Sequence, residues 1–210
     1  MEDAKRLFYA FYKDNVKRSG ADELLEWLET TDFFEAPAST KYHLSKPGGL
    51  CEHSVNVYKR LCKIIDVEYI DKECPYSEDT IALVALCHDL CKVNFYKPGW
   101  RNQKNYDQEK VAAAPKRDIK HDSAGDFFWE TVPTYEVDED FIFGHGEKSV
   151  YLIQKFTWLT DEEAQAIRYH MGAFQEGEAK SYGNACERNP LVFFLHMADS
   201  AATFLDEVER

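Results

Sequence analysis

The sequence predicts an all-α fold, a helical bundle that carries a short β-hairpin or an irregular lid. Three observations predict it. Apolar residues recur at helical spacing in segment after segment. The run Thr80-Ile-Ala-Leu-Val-Ala-Leu-Cys87 is apolar on every side, as a buried helix is. A single long stretch, about 93–144, loses the periodicity and mixes turn signals with aromatic residues.

Each element has its own signal. Residues 4–18 place Leu7, Phe8, Phe11 and Tyr12 at helical spacing, and Gly20 stops the helix. Residues 21–30 give a second, short helix with Leu24, Leu25, Trp27 and Leu28 as its core face. From Thr31 to Pro47 the pattern breaks into a loop that contains His43. Gly48 and Gly49 lead into a third helix, which runs to about Ile65 and buries Leu50, Val55, Val57 and Leu61. His53 falls in its first turn. Ser77 is the N-cap of a fourth helix, with Glu78 and Asp79 favoured by the dipole in its first turn.

In the 93–144 stretch, Lys97-Pro-Gly-Trp-Arg and Ala114-Pro-Lys-Arg read as turns, and Phe127 to Tyr135 has the composition of a strand or hairpin. An aromatic insertion directly after a candidate site is placed to act as a lid. A helix over 146–158 follows. Thr160-Asp-Glu-Glu163 is a capping box for another, ending at His170-Met-Gly172. Ser181 to Asn189 reads as a loop. Pro190 sits at a first helical position, and the last helix runs from Leu191 to about Val208. The expected organisation is an N-terminal helical extension, 1–44, packed on a main domain, 45–210.

Composition narrows the function. With 210 residues, 44% hydrophobic and 14% aromatic, the chain can bury one substantial core. A formal net charge of -13 argues against a protein that grips duplex nucleic acid, which needs clustered Lys and Arg. It leaves room for a small phosphorylated substrate in a local basic pocket. No apolar run approaches the roughly 18 residues of a membrane span. The first residues, Met1-Glu-Asp-Ala-Lys-Arg, have no apolar leader, so a cytoplasmic protein with reduced thiols is expected. The six cysteines form no Cys-x-x-Cys knuckle and read as small core residues.

The chemistry begins at His88-Asp89, where the buried helix ends. Burying an ionisable pair is costly unless it is bonded or holds a metal. Alone, the dipeptide reads as a helix cap satisfying itself. Yet His53 at one helix start, His145 at another, His170 at a helix end and Asp199 within an apolar helix repeat the theme. A shared explanation is a metal centre, since imidazole and carboxylate together suit Mn, Fe, Ni, Co or Zn, and bundles gather such ligands from several helices. Two other motifs fail. Gly144-His-Gly-Glu-Lys-Ser149 has no glycine before its lysine and no strand leading in, so it is no phosphate loop. His121-Asp122 follows no apolar helix and reads as solvated.

The order His53, His88-Asp89, His145, His170, Asp199 resembles the HD-domain superfamily of metal-dependent phosphohydrolases. Gly48-Gly49-Leu-Cys-Glu-His53 is similar to that family's Gly-Gly-x-x-x-His, and His88-Asp89-Leu-Cys-Lys92 to its His-Asp-x-x-Lys. His145 and His170 resemble the additional histidines of dinuclear members, and Asp199 the terminal aspartate. The likeness covers about residues 45–207 and is nearest to small bacterial HD hydrolases and to the HD part of YhaM-like exoribonucleases. It implies an HD helical bundle and two divalent metals, Mn, Fe, Ni, Co or Zn, with Mg as a further candidate. His53, His88, Asp89 and Asp199 would hold one, and Asp89 would bridge to a second held by His145 and His170. It implies hydrolysis of a phosphoester of a nucleotide or other small phosphorylated metabolite, with Asp89 and Lys92 as catalytic residues. Lys148, Arg168 and Arg101 are the candidate phosphate contacts, with Lys97 and Lys104 behind them. His196 is expected beside the site or in the core, and His43 at its outer edge. Other readings are a catalytically inactive metal-containing nucleotide sensor, an exoribonuclease-like phosphodiesterase, and a metal-stabilised interaction module. A homodimer is compatible with all of them.

Overall fold

The computed structural model describes residues 2–174 and 177–208. In it 53% of the chain is helical. The helices are α1 (Glu2–Asn15), α2 (Ala21–Glu29), α3 (Gly49–Glu68), α4 (Glu78–Cys87), α5 (Gln108–Ala113), α6 (His145–Ile153), α7 (Asp161–Arg168), α8 (Ala179–Arg188) and α9 (Pro190–Ala201). The strands are β1 (Tyr96–Asn105), β2 (Lys120–Asp122) and β3 (Gly125–Val137). The fold is therefore mostly helical but not all-α, because the insertion builds a three-stranded antiparallel sheet in the order β1-β3-β2.

That sheet is larger than the sequence suggests. β1 pairs with β3 from Tyr96 opposite Val137 to Asn105 opposite Phe128. Lys97-Pro-Gly-Trp-Arg, expected as a turn, lies inside β1. The reason is that β1 is an edge strand, where a missing proline N–H costs no ladder bond. Pro133 is tolerated likewise, because β2 pairs with β3 only at Gly125–Phe127.

The helices share one core. α3 packs against α1, α4 and α9, and α7 against α4, α6 and α9. Phe8 of α1 and Leu24 and Leu28 of α2 belong to the same buried cluster as Leu61, Leu83, Ile153, Ile167 and Leu195. The N-terminal extension is thus part of the main core. Burying one leucine side chain there contributes about 1.5–3 kcal/mol. Arg18, just after α1, ties the layers together. It donates to Asp79 at 2.6 Å and makes a two-pronged pair with Glu163 at 2.6 and 2.7 Å. Ser77 and Thr160 cap α4 and α7 as expected, the latter with a full capping box.

The expected loop at Ser181–Asn189 is instead helix α8. Gly183 and Asn184 weaken its intrinsic propensity. Tyr182, Ala185 and Cys186, spaced three and four apart, pack it onto the core and decide the matter. α6 stops at Ile153, earlier than expected, where the chain turns so that the Thr157 hydroxyl can donate to the Ser19 carbonyl. The last helix ends its α-helical part at Ala201 and continues as a π turn over Ala202–Asp206. No helix among the described residues is long and apolar enough to cross a membrane.

Candidate metal centre

Close backbone approach gathers the site. Gly48 takes φ of 76°, and a Cβ on Gly49 would lie 2.1 Å from the Leu44 carbonyl oxygen. The pair lets α3 start against the preceding loop and brings His53 inward. Gly146 does the same for α6, since a Cβ there would stand 2.3 Å from the Arg168 carbonyl oxygen. This holds His145 and His170 side by side, their ring centroids 5.3 Å apart.

α4 delivers His88 and Asp89 at its C-terminal end. Asp89 is 2% exposed and is the hub. Its Oδ2 lies 3.6 Å from His53 Nε2 and 3.5 Å from His88 Nε2, while Oδ1 lies 3.0 Å from His145 Nε2 and 3.3 Å from His170 Nε2. The two oxygens of one carboxylate thus face two different pairs of histidines. Lys92 donates to Oδ2 at 2.6 Å. Asp199 Oδ1 completes the far side, 3.2 Å from His53 Nε2. All six residues expected as metal ligands from the sequence meet in one buried cage.

The tautomers are arranged outward. His88 Nδ1 donates to the Ala85 carbonyl at 2.8 Å, and His170 Nδ1 to the Ile167 carbonyl at 2.7 Å. That leaves Nε2 of each facing Asp89. Both Nε2 atoms are buried and make no hydrogen bond to protein. An unsatisfied buried acceptor costs about 1–3 kcal/mol, which an ion at that position would offset. The charges agree. Burial pushes the His88 pKa down to about 4, so its ring is neutral and its lone pair available. Burial raises the Asp89 pKa, but Lys92 and the surrounding imidazoles outweigh it and hold the carboxyl well below its usual range. Burial also pulls His53 down, yet Asp199 and Glu207 lift it to about 10. These two carboxylates favour the charged ring, and a metal at Nε2 would take the place of its proton. Asp89, Asp199 and Glu207 bring three carboxylates to the cage, where a divalent ion would meet their negative charge. Among the described residues, buried sets able to hold a metal ion include His53-His88-Asp89, Asp89-His145-His170 and His88-His170-Asp199.

The remaining expected residues lie elsewhere. Lys148 is buried but donates to Glu139 at 2.8 Å. Arg168 is held by Glu147 at 2.5 Å and Glu178 at 2.9 Å. Arg101 is exposed on β1, as are Lys97 and Lys104. His121 and Asp122 lie in β2, where His121 pairs with Asp126, away from the cage. His196 donates from Nδ1 to the His170 carbonyl at 2.7 Å and braces that residue from behind. His43 lies against His53 at the outer edge, the ring centroids 5.0 Å apart and the planes tilted by 44°. A cleft of about 720 Å³, lined by Tyr42, His43, Lys46, Glu52, Phe204 and Glu207 among others, opens beside that edge.

Glu207 escapes sequence reasoning, and Cys91, expected as a core residue, lies beside the cage. Glu207 accepts from His53 Nδ1 at 3.0 Å, and the π turn that delivers it has no pattern in the sequence. Cys91 Sγ sits 3.4 Å from both ring nitrogens of His145 and 3.8 Å from Asp89 Oδ1. Burial, aided by Asp89, pushes its thiol pKa up, so it packs as a neutral thiol. No family model, curated protein or solved structure matches the chain.

Proposed function

We propose that this chain is a metal-dependent phosphohydrolase of the HD type, cleaving a phosphoester of a nucleotide or another small phosphorylated metabolite. The observation that carries the reading is Asp89, a buried carboxylate whose two oxygens are divided between two histidine pairs. That division suits a carboxylate shared by two ions. His53, His88, Asp89 and Asp199 would hold the first, and Asp89, His145 and His170 the second. Imidazole with carboxylate favours Mn, Fe, Co, Ni or Zn, and an all-oxygen preference makes Mg the weakest candidate. When bound, such ions supply positive charge to the phosphoryl oxygens and a water of lowered pKa for in-line attack.

The chain's own groups prepare the cage for this. Ala85 and Ile167 carbonyls fix the His88 and His170 rings so that Nε2 faces inward. Lys92 balances Asp89 and holds its orientation. Burial of the cage residues excludes bulk water and strengthens every charge interaction inside. The cleft beside His43 has the size of a small-molecule site, and this supports a metabolite-sized substrate.

The test is turnover of p-nitrophenyl phosphate, bis-p-nitrophenyl phosphate and a nucleotide panel with Mn, in the wild type and Asp89→Ala. The expected result is metal-dependent release that falls by at least about a thousandfold in the variant, several kcal/mol of lost charge stabilisation. Metal bound without turnover of any phosphoester would instead favour the nucleotide sensor.

A further inference from the structure

We propose that Glu207, delivered by the π turn that ends the last helix, is a positioning residue that sets the donor strength of His53 and hence how tightly the cage retains its ion. The inference rests on the metal reading above and deepens it. Three histidines of the cage have Nδ1 tied to an acceptor. For His88 and His170 the acceptor is a neutral carbonyl, but His53 alone faces a carboxylate, with both Glu207 oxygens 3.0 and 3.1 Å from its Nδ1. A charged partner makes a stronger bond than a carbonyl and raises the basicity of the opposite nitrogen.

The carboxylate is built into place. The Glu207 side chain is 1% exposed, and the Asn56 amide donates to it at 3.0 Å. In a regular α-helix, eight residues of separation would turn Glu207 about 80° away from Asp199. The π turn alters that phase. Glu207 N–H donates to the Ala202 carbonyl five residues back, at 3.1 Å. Outside it, Arg60 donates to Asp206 at 2.7 Å and pins the turn to α3. Such irregular turns recur at functional sites because they re-aim a side chain. Here the turn lets α9 supply Asp199 to one nitrogen of His53 and Glu207 to the other.

The experiment is a calorimetric Mn titration of wild type, Glu207→Ala, Glu207→Gln, Asn56→Ala and Asp89→Ala, with melting curves of each metal-free protein. Glu207→Ala is expected to weaken Mn binding about 10–100-fold at unchanged stoichiometry. Glu207→Gln, which keeps an acceptor but loses the charge, falls between it and wild type. Asn56→Ala gives a smaller loss in the same direction, and it carries the test if Glu207→Ala fails to fold. Wild-type affinity in Glu207→Gln and Asn56→Ala, with binding abolished in Asp89→Ala, would overturn the positioning role and leave the metal reading intact. Unchanged binding in Asp89→Ala would remove the metal reading itself. Loss of a whole equivalent of Mn in Glu207→Ala would also overturn the proposal, marking Glu207 as a direct ligand with His43 and His53.

Discussion

Lys92 and Asp89 form a buried ion pair at 2.6 Å, and what happens on breaking it depends on whether an ion is present. Removing one partner of such a pair leaves an uncompensated buried charge and costs about 3–5 kcal/mol. Lys92→Met should therefore lower the stability of the metal-free protein by that amount, and saturating Mn should restore most of it, because the ion supplies the missing charge. Chemical denaturation with and without metal checks this. Glu163 gives a pH signature far from the cage. Burial raises its pKa, but Arg18 and the Thr160 backbone outweigh that and hold it below its usual value. A depressed carboxyl contributes stability above its unfolded pKa and loses it as pH falls through the folded pKa. Glu163→Gln should thus be less stable at neutral pH and lose less stability between about pH 5 and pH 3, measured by denaturant midpoints. At this scale the six candidate ligands were legible because each stands beside a helix boundary or in an apolar run. Glu207 was not, since a glutamate near a helix end normally faces solvent.

Helices are positioned by a few close approaches. Gly146 lets α6 touch the backbone of Arg168, the last residue of α7, with no room for a Cβ. Gly146→Ala should push the two apart and separate His145 from His170. The expected outcome is loss of the second ion with the first retained, read by elemental analysis of folded protein. The β1-β3 ribbon is a different matter. Its buried residue Phe127, and Val111 of the adjoining α5, lie outside the main core cluster. Replacing residues 98–133 with a short turn should therefore leave the melting temperature within a few degrees of wild type, and change KM more than metal content if the ribbon covers the substrate. The sequence revealed an aromatic insertion but hid its first strand, because Pro98-Gly99 is a strong local turn signal. α8 was hidden for the opposite reason. Its local preference is weak, and packing of Tyr182 and Ala185 overrides it.

Across the whole molecule, the helical bundle exists to bury a core that includes α1 and α2 and to hold a polar cage at its centre. The helical periodicity and the N-caps at Ser77 and Thr160 made that bundle readable. The meeting of residues 53, 88, 89, 145, 170 and 199 is a tertiary fact that spacing alone does not dictate. It became an expectation because five separate helices repeat the same costly placement of a polar group and because their order resembles the HD-domain pattern. The chain carries a formal net charge of -13, and Lys148 and Arg168 are already paired to Glu139, Glu147 and Glu178. The central claim is that these side chains converge to hold metal. The most direct measurement is the metal content of protein reconstituted with Mn and freed of excess by gel filtration, in wild type, His145→Ala and Asp89→Ala. Wild type should hold two ions per chain, His145→Ala one and Asp89→Ala none; equal metal content in all three proteins would show that these side chains do not hold the metal.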